Sequence, residues 1–228
     1  MTSFSVSPGV KMRFPTARVG FIQGECAANA FSDEERLAEY ADNAIAQTRL
    51  ISSLPEHPNI AAWRKMYRAF GEDPTKRKPS AEALAKRIQK GEPLPRLNAI
   101  VDCYNAVSLM HLLPVGGQDA DKISGGVVLR FAQEGEPFVA LGGELQATNA
   151  GEVIYADAKN VLCRKWNYRD CEPAKISEET RRFVLVVDGA EGIPRDAVDA
   201  AARDLCMLLE KCVSGCAAAH SVYPFSGA

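Results

Sequence analysis

Apolar residues in this chain recur at two spacings, and the change from one to the other divides the sequence. "ARVGFIQGE" (17–25) alternates Val19 and Phe21 with small or polar neighbours, which predicts a strand. A helical period follows. Leu37, Tyr40, Ala44 and Ile45 form one stripe and predict a helix over 32–52, with Ser32 and Glu35 spaced as a capping box. Trp63, Met66, Tyr67 and Phe70 share a face of a second helix over 59–71, stopped by Gly71. A third covers 80–91, with Ser80 as N-cap and Gly91 as C-cap, and a fourth covers 93–114, ended by Pro114. The spacing then shortens to that of strands, at 125–132, 137–143, 152–157, 160–166 and 182–189. A last helix starts with Pro194 in its first position and runs through Cys212. Helices, then short strands, then a closing helix predict an α+β fold. The stretch 220–228 reads as a tail or a packed strap.

Polar residues interrupt these patterns in three places. Asn98, Asp102 and Asn105 are four and three residues apart, so they share one face of the fourth helix. Two amides and no Lys or Glu suit bonds to the backbone of neighbouring loops better than a solvated face. Asp102 has two readings, orienting a water or fixing a loop, and the second is favoured because buried carboxylates are usually paired. Next, "GGQDADKISGG" carries Asp119, Asp121 and Lys122 between glycine pairs. Gly116 and Gly117 there either turn the chain or expose backbone N–H groups to a ligand oxygen. Third, "NVLCRKWNYRDC" (160–171) alternates cations with aromatics, which suits stacking on a base or the packed face of an edge strand.

Composition adds limits. The 228 residues suit one domain, 46% hydrophobic and 25% charged as in soluble globular proteins. The first twenty residues lack the apolar run of a signal peptide and no run reaches a membrane span, so a cytoplasmic protein is expected. Seven cysteines without a CxxC pair read as buried thiols. Three histidines and unclustered cysteines argue against a metal site, and no cofactor is implied. The motifs of serine hydrolases, zinc peptidases and nucleotide-binding loops are missing. Ser108 and His111 share a helix without an orienting third group, which reads as packing. Net charge is −2, yet residues 63–96 hold ten basic and four acidic side chains, a local +6. Lys76, Arg77, Lys78, Lys86 and Arg87 in that segment either solvate helix faces or meet a polyanion such as RNA.

Taken together, the residues from "WRKMYRAFG" through "GGVVLRFAQEGEPF", with "GEVIYAD", "CRKWNYRD" and "ISEET", resemble a free-standing B3/B4 domain over roughly 60–190. This is the module of the phenylalanyl-tRNA synthetase beta chain. The resemblance rests on the combination of Asn98, Val101-Asp102, Asn105, Asp121-Lys122-Ile123 and Gly151-Glu152. It implies an α+β domain with a central β-layer of unusual topology, flanked by helices. It also implies a site that hydrolyses the ester of a mischarged tRNA, as a second sieve. In this chain Gly116 falls near the place of the family's histidine, and Arg169 aligns only loosely with the region of its specificity glutamate. The resemblance therefore implies tRNA or aminoacyl-tRNA as partner, with neither membrane nor DNA, and a different side-chain specificity. Asp102 and Asn167 are the candidates for catalysis. Asn98, Asn105, Gly116, Gly117, Asp119, Asp121, Lys122, Arg130, Glu152, Trp166 and Arg169 are the candidates for binding substrate. An activated ester needs only a placed water and oxyanion donors, so the missing nucleophile is no obstacle. A non-catalytic RNA-binding module and a binder of amino-acid-like small molecules are the alternatives.

Overall fold

The computed structural model describes residues 2–225. The chain opens with β1 (Phe4–Val6) and a short helix, α1 (Pro8–Arg13), before β2 (Arg18–Glu25). Four helices follow: α2 (Glu34–Arg49), α3 (Pro58–Ala69), α4 (Ser80–Gln89) and α5 (Ala99–His111). Seven strands come next. They are β3 (Val115–Asp119), β4 (Val127–Phe131), β5 (Pro137–Val139), β6 (Leu145–Ala147), β7 (Val153–Ala156), β8 (Val161–Arg164) and β9 (Arg169–Asp170). Then β10 (Arg182–Gly189), α6 (Arg195–Cys212) and β11 (Ala217–Pro224) complete the fold. It is an α+β architecture.

Two sheets face one another. One is antiparallel throughout, in the order β11-β2-β10-β3. The other runs β1-β4-β7-β8-β9, with β1 parallel to β4. Phe4 of β1 stacks on Phe21 of β2 at 4.8 Å, and Tyr155 of β7 donates a hydrogen bond to Asp188 of β10, so the sheets meet through side chains. Helix α6 covers the other face of the four-stranded sheet. A Cβ on Gly189 would lie 2.6 Å from Val198 of that helix, so the glycine sets how closely α6 can approach. Strand β10 is therefore covered on both sides, which explains its unbroken apolar run. Its register decides which side chains reach the second sheet. Val184, Val186 and Asp188 face the second sheet, and a slip of one residue would turn Asp188 toward the helices.

Several element boundaries depart from the sequence expectation. The cap of α2 is Asp33, whose carboxylate accepts from the Arg36 N–H, while the Ser32 hydroxyl donates to the Lys211 carbonyl. A carboxylate at a helix N-terminus complements the dipole as well as the free N–H, so it displaces the serine. Ser80 is the first helical residue of α4 and Pro79 occupies the cap position, just as Pro194 precedes α6 rather than beginning it. Helix α5 begins only at Ala99, because Pro93 and Pro95 hold the preceding residues extended. It ends before Pro114, where Leu112 turns left-handed at φ 49° and the Ser108 hydroxyl donates to the Leu113 carbonyl. The glycine-rich stretch after it is strand β3, not a loop. Residues 217–224 of the C-terminal stretch form the edge strand β11, and 226–228 lie outside the described residues. Strands β1 and β6 and helix α1 have no counterpart in the sequence expectation; each is too short to carry a period. No helix among the described residues is long and apolar enough to cross a membrane.

The two glycines of β3 face opposite ways, and this separates their roles. A Cβ on Gly117 would meet Leu185 Cδ2 at 2.2 Å and the Val184 carbonyl at 2.6 Å. Gly117→Ala is expected to lose about 1–3 kcal/mol through overpacking. On Gly116 the nearest atom would be Asp170 Oδ2 at 3.6 Å, so Gly116→Ala should hold or gain stability, by up to about 1 kcal/mol. Urea denaturation midpoints of the two variants check this contrast.

Candidate functional site

The edge strands β3 and β9 of the two sheets part over a cleft of about 60 Å³. From β3, Gly116 and Gln118 face it; from β9, Asp170; from β10, Val186 and Asp188; from β7 and β8, Tyr155 and Cys163. The turn between β8 and β9 supplies Trp166, Asn167 and Tyr168. Lys165 and Trp166 in that turn are left-handed, at φ 51° and 68°, a conformation rare for bulky residues. Burial compensates for it. Trp166 is fully buried against Trp63, Phe14 and Phe225, with ring centroids 5.4, 5.5 and 6.1 Å away. The Lys165 ammonium reaches Glu72 and, at 2.9 Å, Glu152, which also receives Arg164 through two bonds of 2.8 and 3.0 Å.

Charge in the cleft is unusual. Asp188 is buried among Tyr155, Asn167 and Trp166, and lack of water pushes its carboxyl up to about 7 despite hydrogen bonds from Tyr155 and Asn167. Asn167 is itself held by the Tyr67 hydroxyl at 2.8 Å, so a chain of bonds ties α3 to the cleft floor. Asp170, bonded by the Gln118 amide at 3.3 Å, is pushed up to about 6, again chiefly by burial. The buried Trp166 indole N–H makes no hydrogen bond of good geometry among the described residues, although it lies close enough to Asp188 and Tyr155 to favour the charged form of each. Burial, with Asp170 and Asp188 nearby, drives the Cys163 thiol well above its ordinary range, so it is no thiolate at neutral pH.

The cleft opens into two basic concavities. A mouth of about 420 Å³ is lined by Lys86 and Arg87 of α4, by Lys90 at its C-terminal cap, by Glu92, which pairs with Arg87 at 3.5 Å, and by Asn105 and Ser108 of α5, with Ser80, Val115 and Tyr168 shared with the cleft. A hollow of about 170 Å³ on the other side is lined by Arg77, Gln146, Asn149, Arg164, Lys165, Tyr168 and Arg169. A further depression of about 430 Å³ beside β11 has only exposed charges, Glu25, Arg182 and Glu210, and no buried polar group with a shifted pKa.

The residues singled out in the sequence fall into groups. Asn105, Gly116, Trp166, Asn167 and Arg169 line the cleft or its mouth, and so do Lys86 and Arg87. Arg77 lines the hollow. Glu152 lies behind that hollow, bound to Arg164 and Lys165. Asn98 is the cap of α5, accepting from the Val101 N–H and from Asn29. Asp102 accepts from the Arg96 guanidinium at 2.7 Å and the Leu97 N–H at 2.8 Å, holding the chain before α5. Gly117 faces Leu185, away from the cleft. Asp119 caps a short turn, accepts from Thr180 and pairs with Lys122 at 3.8 Å, and Asp121 pairs with Arg182. Arg130 is clamped by Glu136 through two bonds of 2.6 and 2.7 Å. Lys76 is exposed, and the Lys78 ammonium donates to the Thr75 carbonyl. Sequence reasoning missed Asp170, Asp188, Tyr155 and Cys163. Asp188 did leave a signal, as an acid in register at the end of the run "FVLVVDG".

The likeness to known proteins places this α+β fold in a family. The model of the B3/4 domain family matches residues 62–213, and the chain belongs to this family. The match runs past β10 through α6, further than the sequence motifs alone. The phenylalanine–tRNA ligase beta subunit of Leifsonia xyli subsp. xyli is 31% identical over 147 residues, 53% of this chain and 17% of that one. That of Yersinia pestis is 34% identical over 89 residues, 39% of this chain and 11% of that one. The chain thus matches only a small part of these relatives. An N-terminal fragment of the phenylalanyl-tRNA synthetase beta subunit from Pyrococcus horikoshii shares the fold, with a TM-score of 0.50. The match covers 98% of this chain and 54% of that one at 14% identity, and at that identity the likeness is one of fold alone.

Titration of Asp188 gives a test of the cleft floor. Its carboxyl is raised to about 7 in the folded chain and sits near 4 when unfolded, so the folded state holds a proton the unfolded state releases. This contribution is full below about pH 4 and is lost as pH rises through 7. Asp170, raised to about 6, acts in the same direction with a smaller span. Asp188→Asn keeps an acceptor for Tyr155 and removes the titration. It is expected to raise the melting midpoint at pH 8 over wild type by about 3–6 °C, equivalent to ~1–2 kcal/mol, and by less at pH 5. Thermal unfolding across pH 5–8 reads this out.

Proposed function

We propose that this chain acts on aminoacyl-tRNA in trans, binding the charged 3′ end at the mouth and hydrolysing its ester in the cleft. The observation that carries this reading is the meeting, in one cleft, of a carboxylate raised to about 6 and a buried indole N–H without a well-formed hydrogen bond, under a basic mouth. Each part has a role in ester hydrolysis. Lys86, Arg87 and Lys90 neutralise backbone phosphates of the RNA. Asp170 is largely ionised at pH 7 and basic enough to take a proton from water. That water adds to the ester carbonyl carbon; the bond to the ribose oxygen then breaks, and the proton passes to the departing hydroxyl. The Trp166 N–H supplies a donor for the negative charge that develops on the carbonyl oxygen. Asp188 and Asn167 position the floor. No covalent enzyme intermediate is involved, which agrees with the protonated Cys163 thiol. A cleft of about 60 Å³ suits a small aminoacyl group rather than a large aromatic one.

The family membership supports the reading because the beta subunits it resembles are named for ligation to tRNA. The test is a panel of tRNAs charged with single amino acids. At least one is expected to be deacylated above the buffer rate, with a rate that rises with pH through about 6 and then levels. Asp170→Asn should lower that rate by about 10²–10⁴-fold. Absence of release from every member of the panel would sink the proposal. Binding that falls with added salt but yields no turnover would leave a carrier of RNA ends, the non-catalytic alternative.

A further inference from the structure

Tyr168 occupies a position that no other side chain among the described residues shares. It lines the acidic cleft, the basic mouth and the basic hollow at once. The residue is 39% exposed, and its ring packs on no other aromatic ring among the described residues. The turn that carries it is rigid. Trp166 is sunk in the core two residues earlier, and the Tyr168 N–H donates to the Arg164 carbonyl at 3.1 Å. An aromatic plate is thus held outward on a fixed base.

The hollow beside it has the chemistry of an anion site. Four cations line it and no carboxylate does. Glu72 and Glu152, which pair with Arg77, Arg164 and Lys165, stand behind these cations, and Glu144 reaches Arg169 only at 3.8 Å from an exposed loop. Arg77 and Arg169 keep nearly half of their side-chain surface exposed, at 46% and 43%. The amide side chains Gln146 and Asn149 add donors at its rim. The mouth, which shares only Tyr168 with the hollow, presents Lys86, Arg87 and Lys90, with Glu92 beside Arg87 at 3.5 Å.

We propose that Tyr168 is a stacking platform for one unpaired base of a single-stranded RNA end, with the two phosphates flanking that base held in the hollow and in the mouth. The inference rests on the reading of the site given above and adds how the RNA is gripped. A strand crossing the turn in this way meets cations, then an aromatic face, then cations, which is how single strands are held without regard to sequence. The acidic cleft opens beneath the same ring, so the reacting end of the strand is brought to it by the stacked nucleotide.

The probe is the uncharged oligonucleotide 5′-ACCA with a fluorescent label at its 5′ end, titrated against the full chain by anisotropy at several salt concentrations. Tyr168→Phe keeps the ring and should bind within about twofold of wild type. Tyr168→Ala should weaken binding about 5- to 150-fold, the range for one stacked base. Arg77→Ala should weaken it and lower the slope of log affinity against log salt by about 0.7, the loss of one phosphate contact on a single strand. Equal affinity of Tyr168→Ala and wild type overturns the platform, as does an equal loss in Tyr168→Phe. An unchanged salt slope in Arg77→Ala overturns the phosphate contact, and no binding by wild type overturns both. Circular dichroism confirms that these exposed substitutions fold. The probe carries no ester, so binding with this pattern stands even if every mischarged tRNA survives. Deacylation that is indifferent to Tyr168 removes the platform and leaves the hydrolase.

Discussion

The turn between β8 and β9 is held open by burial. Two successive bulky residues in left-handed conformation cost of order 1–3 kcal/mol each, and they persist only because the contacts they make possible are more favourable still. The conformation drives Trp166 into the core among four aromatic rings. It also brings the Lys165 ammonium between Glu72 and Glu152, where Arg164 completes a buried cluster of two cations and two anions. The strain and the ion cluster support each other. Without the cluster, Lys165 would be an unpaired buried charge; without the turn, Trp166 would point to solvent. The residues after the turn that face the cleft, Asn167, Tyr168, Arg169 and Asp170, take their direction from that arrangement.

The opposite wall is built by simpler means. Strand β10 is fixed by pairing on both sides, and its register alone directs Asp188 inward. Gly116 and Gly117 then serve two neighbours at once. One leaves space before Asp170, and the other admits the Leu185 side chain. Opposed surfaces of this kind create a steep change of environment over a short distance, from solvated cations on α4 and the turn to carboxyls that hold their protons to near neutral pH. A ligand that spans both must carry negative charge at one end and a neutral or cationic reactive group at the other. The aminoacyl ester of RNA proposed as substrate has that polarity.

How much of this is legible in the sequence depends on how each residue declares itself. Strand β2 and helix α6 have strong periods and β10 an unbroken apolar run, which place them nearly to the residue. The basic character of residues 63–96 is visible as a charge count, though not which of its cations converge on the mouth. Strand β3 reads as a loop because glycine carries no hydrophobic pattern, and its strand character comes from pairing with β10 far along the chain. Trp166 is legible as an aromatic among cations, a pattern equally consistent with exposure. Its burial depends on backbone angles that no spacing encodes. Asp170 resembles an ordinary turn acid in sequence and Asp188 only an acid closing an apolar run, and the approach of two sheets makes both unusual.

The pairing order has a consequence for how the chain comes to be folded. Strand β2, at residues 18–25, lies between β10 at 182–189 and β11 at 217–224, and β1 at 4–6 waits for β4 at 127–131. During synthesis the helices α2 to α5, whose contacts are more local, can form long before the sheet they cover exists. Val19, Phe21 and Ile22, all buried in the finished fold, therefore spend most of translation without partners. Synthesis leaves this apolar strand accessible to chaperones, or to another nascent chain, until β10 emerges to pair with it.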